Sequence, residues 1–151
     1  MKSFLAAALA AVLAAAAPAS AQDPTGRALV TAKLDTVTAA LAPSGFAPAG
    51  APTLISIAAD NSTEVQMQVQ AGKGYVIVGI CDENCGDLDL LVLKADGTTV
   101  GQDVAEDNAP LVTYVATENT TLRVRVSMAG CTAASCLAGA ALYTGDPAAL
   151  Q

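Results

Sequence analysis

Residues 63–71 read TEVQMQVQA, and residues 121–128 read TLRVRVSM. In the first stretch Val65, Met67, Val69 and Ala71 alternate with Glu64, Gln66, Gln68 and Gln70. In the second, Leu122, Val124, Val126 and Met128 alternate with Thr121, Arg123, Arg125 and Ser127. A period of two sends successive side chains to opposite faces of a strand, so both segments are expected as antiparallel strands with one buried and one wet face. Working outward, YVIVGI at 75–80 and LDLLVL at 88–93 are apolar on both phases and are expected as central strands. Further strands are expected at 53–58, 98–102, 111–116 and 137–143, and Asp96-Gly97 is expected to turn a hairpin with positive φ at both central residues. Short strands separated by turn signals imply an all-β fold, an antiparallel β-sandwich.

Ahead of residue 53 the pattern changes. Asp23-Pro24 is a helix start, with Asp as N-cap and Pro at the first helical position. Val30, Leu34, Val37 and Leu41 then recur at helical spacing until Pro43-Ser44-Gly45 stops the run, so one short N-terminal α-helix precedes the sandwich. The Pro/Gly/Ala-rich segment 42–52 is expected to lack regular structure, with Phe46 as its anchor. The first residues, MKSFLAAALAAVLAAAAPASA, combine Lys2, a short apolar run and the small residues Ala19 and Ala21, which is the pattern of a secretory leader cleaved after Ala21. The expected organisation is a signal peptide at 1–21, helix and linker at 22–52, the sandwich at 53–145 and a tail at 146–151. The protein is expected in the periplasm or outside the cell, without a membrane anchor.

Composition narrows the chemistry. Removing Lys2 leaves 6 basic residues against 14 acidic ones, a net charge of −8 that repels nucleic acid and anionic membrane. There is no histidine, which removes Ser-His-Asp and Cys-His catalysis and histidine-ligated zinc. With no tryptophan and 3 tyrosines there is little aromatic surface on which a glycosidase could hold a sugar. Cys81, Cys85, Cys131 and Cys136 in an exported chain imply two disulfides. The local pairing, Cys81 with Cys85 and Cys131 with Cys136, is favoured over pairing between loops.

Between Asp82 and Asp107 lie 8 acidic residues and a single basic one, Lys94. If the strands run up and down, loop parity gathers Asp82, Glu83, Asp87, Asp103, Glu106 and Asp107 at one pole with all the cysteines. Two readings are open. A hard cation would relieve the repulsion, and calcium fits best, with Asp87, Asp89 and Asp103 as first ligand candidates and Asp107 next. Alternatively, the pole is solvated and its aspartates cap turns. The helix-loop-helix calcium pattern fails, since the twelfth position counted from Asp82 is Leu93 rather than glutamate. Arg123 and Arg125 share the polar phase of one strand, as an anion or partner patch or as a solvated face that discourages edge pairing.

The stretch from GYVIVGICDENCGDLDLLVLKADG through RVRVSMAGCTAASCLAGAALY, with its Asp-Leu-Asp strand, Gly turn and Val-rich late strand, resembles the bacterial pre-peptidase C-terminal domain in its cysteine-bearing form. The likeness covers about residues 53–145. It implies a jelly-roll-like sandwich that assists secretion, adhesion or substrate binding, and related collagen-binding domains use calcium at loop carboxylates. Here a helix and linker, not a peptidase, stand ahead of that region. The expectation is a noncatalytic exported binding or envelope module, engaging an envelope protein or an extracellular polymer. The alternatives are a small periplasmic hydrolase using loop carboxylates, or a structural protein that docks a partner through its N-terminal helix.

Overall fold

The computed structural model describes residues 24–151. The leader and the Asp23 cap lie outside the described residues. Helix α1 (Pro24–Leu41) leads through a short 3-10 turn into β1 (Ala47–Pro48) and β2 (Thr53–Ala58). There follow β3 (Ser62–Val69), β4 (Gly74–Cys81), β5 (Cys85–Leu93), β6 (Thr99–Asp103), β7 (Leu111–Val115), β8 (Thr120–Cys131) and β9 (Ser135–Gly145). Among the described residues no helix is long and apolar enough to cross a membrane.

The strands form two antiparallel sheets. One runs β2-β9-β4-β7, with the short β1 sharing the β9 edge beyond β2; the other runs β3-β8-β5-β6. Taking β2–β9 as strands one to eight, this is jelly-roll order. The chain changes sheet at β2–β3, β3–β4, β4–β5, β6–β7, β7–β8 and β8–β9, and only β5–β6 is a hairpin within one sheet.

The inner faces meet in a core of Ile77, Leu88, Leu90, Val92, Leu122, Val124, Val126 and Met128, with Ala138 and Ala140 of β9. The second face of β4 and β9 is buried too. Val76, Val78, Ile80, Leu137, Ala141 and Tyr143 point outward and pack beneath Val30 and Leu34 of α1 and Phe46 of the linker. Every residue of β4 is therefore buried, the reason YVIVGI is apolar on both phases. Gly139 makes the close approach possible: a β-carbon there would fall 2.8 Å from Val30 Cγ1 and 3.1 Å from Leu34 Cδ1. Thr38 Oγ1 and Tyr143 Oη hydrogen-bond at 3.1 Å across the same contact.

Several expectations need correction. The helical stripe Val30, Leu34, Val37 and Leu41 covers the protein's own sheet, so it is not a free docking surface for a partner. The linker contains β1, because residues 47 and 48 find backbone partners at Thr144 and Tyr143. LDLLVL belongs to a central strand, but no helix covers its outer face. Leu88, Leu90 and Val92 are buried inward, while Asp87, Asp89 and Leu91 are half-buried on the outside. At the 94–98 turn only Gly97 has positive φ, at 87°. Lys94 N–H bonds to Thr98 O and Gly97 N–H to Lys94 O, so the loop has three residues rather than two.

Candidate functional site

Four of the sheet-to-sheet crossings, β2–β3, β4–β5, β6–β7 and β8–β9, fall at one pole. Disulfides Cys81–Cys85 and Cys131–Cys136 form there, with Cα separations of 5.9 and 6.0 Å, in the local pairing. Each ring closes over a crossing from one sheet to the other. The rings are adjacent, because Cys85 and Cys131 are cross-strand partners in β5 and β8.

Hydrogen bonds then tie the loops together. Thr132 donates to Asn84 O from its backbone N–H at 2.9 Å and from Oγ1 at 3.1 Å. Leu88 N–H donates to Asp107 O at 2.8 Å, and Ala59 N–H to Ala134 O at 3.1 Å. Asp82 is the buried acid of the group. Its Oδ2 accepts from Leu137 N–H at 2.7 Å and its Oδ1 from Asn84 N–H at 3.1 Å. A β-carbon placed on Gly26, in the first turn of α1, would lie 3.7 Å from Asp82 Oδ2, so this carboxylate sits where the positive end of the helix dipole favours it. Lys33 Nζ donates to Cys81 O at 2.8 Å, a second tie between α1 and the pole.

The calcium candidates separate into two kinds. Asp103 Oδ2 accepts from Leu111 N–H at 2.9 Å and its Oδ1 from Ala105 N–H at 3.2 Å. Asp107 Oδ1 accepts from Ala109 N–H at 2.9 Å. Both carboxylates hold the β6–β7 crossing in shape. Asp87 and Asp89 instead lie on the outer face of β5. Asp87 is paired with Gly130 of β8, and its Oδ1 is buried without a hydrogen-bond partner among the described residues. Desolvation, and then the charges of Asp87 and Asp103, push the Asp89 carboxyl above the usual carboxylate range. Among the described residues no three His, Cys, Asp or Glu side chains form a set that could hold a metal ion. Asp87 and Asp103 are near enough to Asp89 to act on its charge, while Asp103 is also bonded to backbone amides.

Loop aspartates bonded to the amide two residues on recur at Asp82, Asp96, Asp103, Asp107 and Asp146. Aspartate in a loop is the visible signal for this role, since its side chain bonds the backbone amide two residues on. Sequence reasoning missed Asp82 and Lys33 as fasteners of the helix, because neither contact has a local signature. Arg123 and Arg125 are both engaged by Glu64: Arg123 makes a forked pair whose closest contact is 2.9 Å, and Arg125 makes one at 3.1 Å. The hydrogen bonds from Arg123 and Arg125 hold the Glu64 carboxyl below its ordinary range. The two arginines are thus part of an internally paired strand face.

No protein-family model and no curated protein matches the sequence. Among solved structures the chain is similar to Aeromonas hydrophila PliG, a periplasmic lysozyme inhibitor of g-type lysozyme. The TM-score is 0.43 at 9% identity, over 67% of this chain and 85% of that one.

Proposed function

We propose that the protein is a noncatalytic exported binding module that engages a basic protein partner through its disulfide-pinned pole. The observation that carries this reading is the set of four crossings fixed by two rings and by bonds between loops. These loops, 59–61, 82–84, 104–110 and 132–134, contain Asp60, Asp82, Glu83, Glu106 and Asp107 but no lysine or arginine. Loops held before contact lose little conformational freedom on binding, and a predominantly acidic surface speeds encounter with a basic one. Two disulfides and the leader-like first residues support an oxidising compartment, the periplasm or the cell exterior. The resemblance to the pre-peptidase C-terminal domain supports an accessory rather than catalytic role.

The test is capture of envelope and secreted proteins by the immobilised protein, followed by identification and direct affinity measurement. Glu83→Gln with Glu106→Gln removes two exposed charges that make no hydrogen bond among the described residues. A basic partner should be lost in that variant and at high salt, with the melting temperature unchanged. Capture indifferent to the variant and to salt would sink the proposal.

A further inference from the structure

Strand β7 ends its sheet and pairs only with β4. Gly79 N–H donates to Pro110 O at 2.9 Å and Ala116 N–H to Lys73 O at 3.0 Å, which fixes the phase of the ladder between them. Bonded pairs alternate along antiparallel strands, so Val112 and Tyr114 direct their backbone groups to Ile77 and Tyr75 of β4. Leu111, Thr113 and Val115 therefore aim theirs out of the open edge. The Leu111 N–H is taken by Asp103 Oδ2 at 2.9 Å. Among the described residues, the N–H groups of Thr113 and Val115 and the C=O groups of Leu111, Thr113 and Val115 are left without a partner.

The same three residues put their side chains on the outer face of the sheet. The cover formed there by α1 and Phe46 leaves Leu111 43% and Val115 41% exposed; with Val104, at 58%, they are the exposed large hydrophobic residues among those described. Edge strands that stay single are blunted by charges, proline or bulges, whereas residues 111–115, LVTYV, contain no charge and no proline. The other free edges lack this combination. β3 carries Glu64, β6 ends at Asp103, and the large outward side chain of β2, Leu54, packs in the helix cluster.

We infer that β7 is a dimerisation strand, and that its occupant is β7 of a second copy of this chain, antiparallel about a two-fold axis at Thr113. The strand is its own complement. Leu111 and Val115 lie at equal distances either side of Thr113, so the axis sets Leu111 beside Val115 of the second copy and Thr113 beside its equivalent, cross-strand pairs of the favourable kind. Thr113 N–H then donates to Thr113 O of the second copy and Val115 N–H to its Leu111 O, each bond being made twice, while Leu111 N–H stays with Asp103. β7 carries no charge with which to select an unrelated extended segment, but its own sequence matches across the axis position by position. Because both copies use the same edge, the pairing closes at two. One pair of short strands makes a small interface, and the negative charge of the chain opposes it, so the dissociation constant is on the order of 0.1 mM. The inference does not rest on the disulfide pole having a partner.

Analytical ultracentrifugation of the protein, disulfides intact, from ~10 μM to ~1 mM tests it, with amide hydrogen exchange at both ends of that range. A reversible monomer–dimer equilibrium is expected, tightening as salt rises because like charges are screened, the reverse of a contact with a basic protein. Exchange at Thr113 and Val115 should slow about fourfold between the two concentrations, while Leu111, already bonded to Asp103, stays unchanged. Thr113→Pro removes a donor that makes no bond in the single chain, and Val115→Lys puts a charge at an exposed position on the shared strip; each should be monomeric at ~1 mM with the melting temperature little changed. The lysine variant decides alone if the proline variant fails to fold. A monomer throughout, a dimer that survives Val115→Lys, or protection that appears on other strands and not at Thr113 and Val115 would overturn the inference.

Discussion

Folding disfavours the charged form of Asp89. Its folded-state proton affinity is raised, first by desolvation and then by Asp87 and Asp103, so the folded protein binds this proton more tightly than the unfolded chain. Its contribution is therefore neutral below the unfolded carboxylate range and becomes a penalty as pH rises through the folded value. Asp89→Asn should raise the melting temperature at pH 7 and leave it unchanged near pH 3, a difference that paired thermal melts would read. Glu64 has the opposite sign: its depressed value means that the arginine contacts help only above the unfolded carboxylate range and are lost as pH falls through the folded one. Asp103→Ala removes two carboxylate-to-amide bonds and should cost about 1–3 kcal/mol by denaturant titration, with local amide exchange rising at Ala105 and Leu111. Because Asp103 and Asp107 are committed to backbone amides, melting temperatures in millimolar calcium and in chelator should agree. A calcium-selective rise would show that the acids regroup around an ion.

At the level of elements, the contact between α1 and β9 depends on a residue with no side chain. Gly139→Ala places a β-carbon against Val30, Leu34 and Leu54 and should cost about 1–3 kcal/mol, whereas Leu34→Ala opens a void there and should cost about 2–5 kcal/mol. Equilibrium unfolding of both variants checks the pair of values. The stripe of α1 was legible because a period of 3.6 marks an apolar face; what that face covers was not, since periodicity carries no address. YVIVGI held the missing clue, because a strand apolar on both phases needs two covers. LDLLVL looked alike, yet its outward phase contains Asp89 and the half-buried Leu91 and receives only solvent and neighbouring side chains. β1 was illegible because two residues joined to Thr144 and Tyr143 through backbone bonds leave no pattern in their own side chains.

For the whole molecule, the alternating strands and the class of sandwich could be read directly, but strand order could not, because partners such as Thr53 and Ala140 share no local signal. Loop parity did anticipate the cysteine-bearing pole, since it depends only on the count of strands. Parity could not tell a chelating cluster from a set of turn caps, because that depends on which backbone amides each carboxylate meets. Replacing Cys131 and Cys136 by alanine removes a ring with a sequence separation of 5 and should cost about 2 kcal/mol in denaturant melts. The jelly-roll order also sets a clock. Most strand partners must be found across the length of the chain, and rings spanning 4 and 5 residues shorten none of those searches. Topologies dominated by such distant pairings fold on a timescale of ~milliseconds to seconds. The rings instead tighten connections that already join the two sheets, so they restrict the unfolded chain locally and leave the distant searches as long as before.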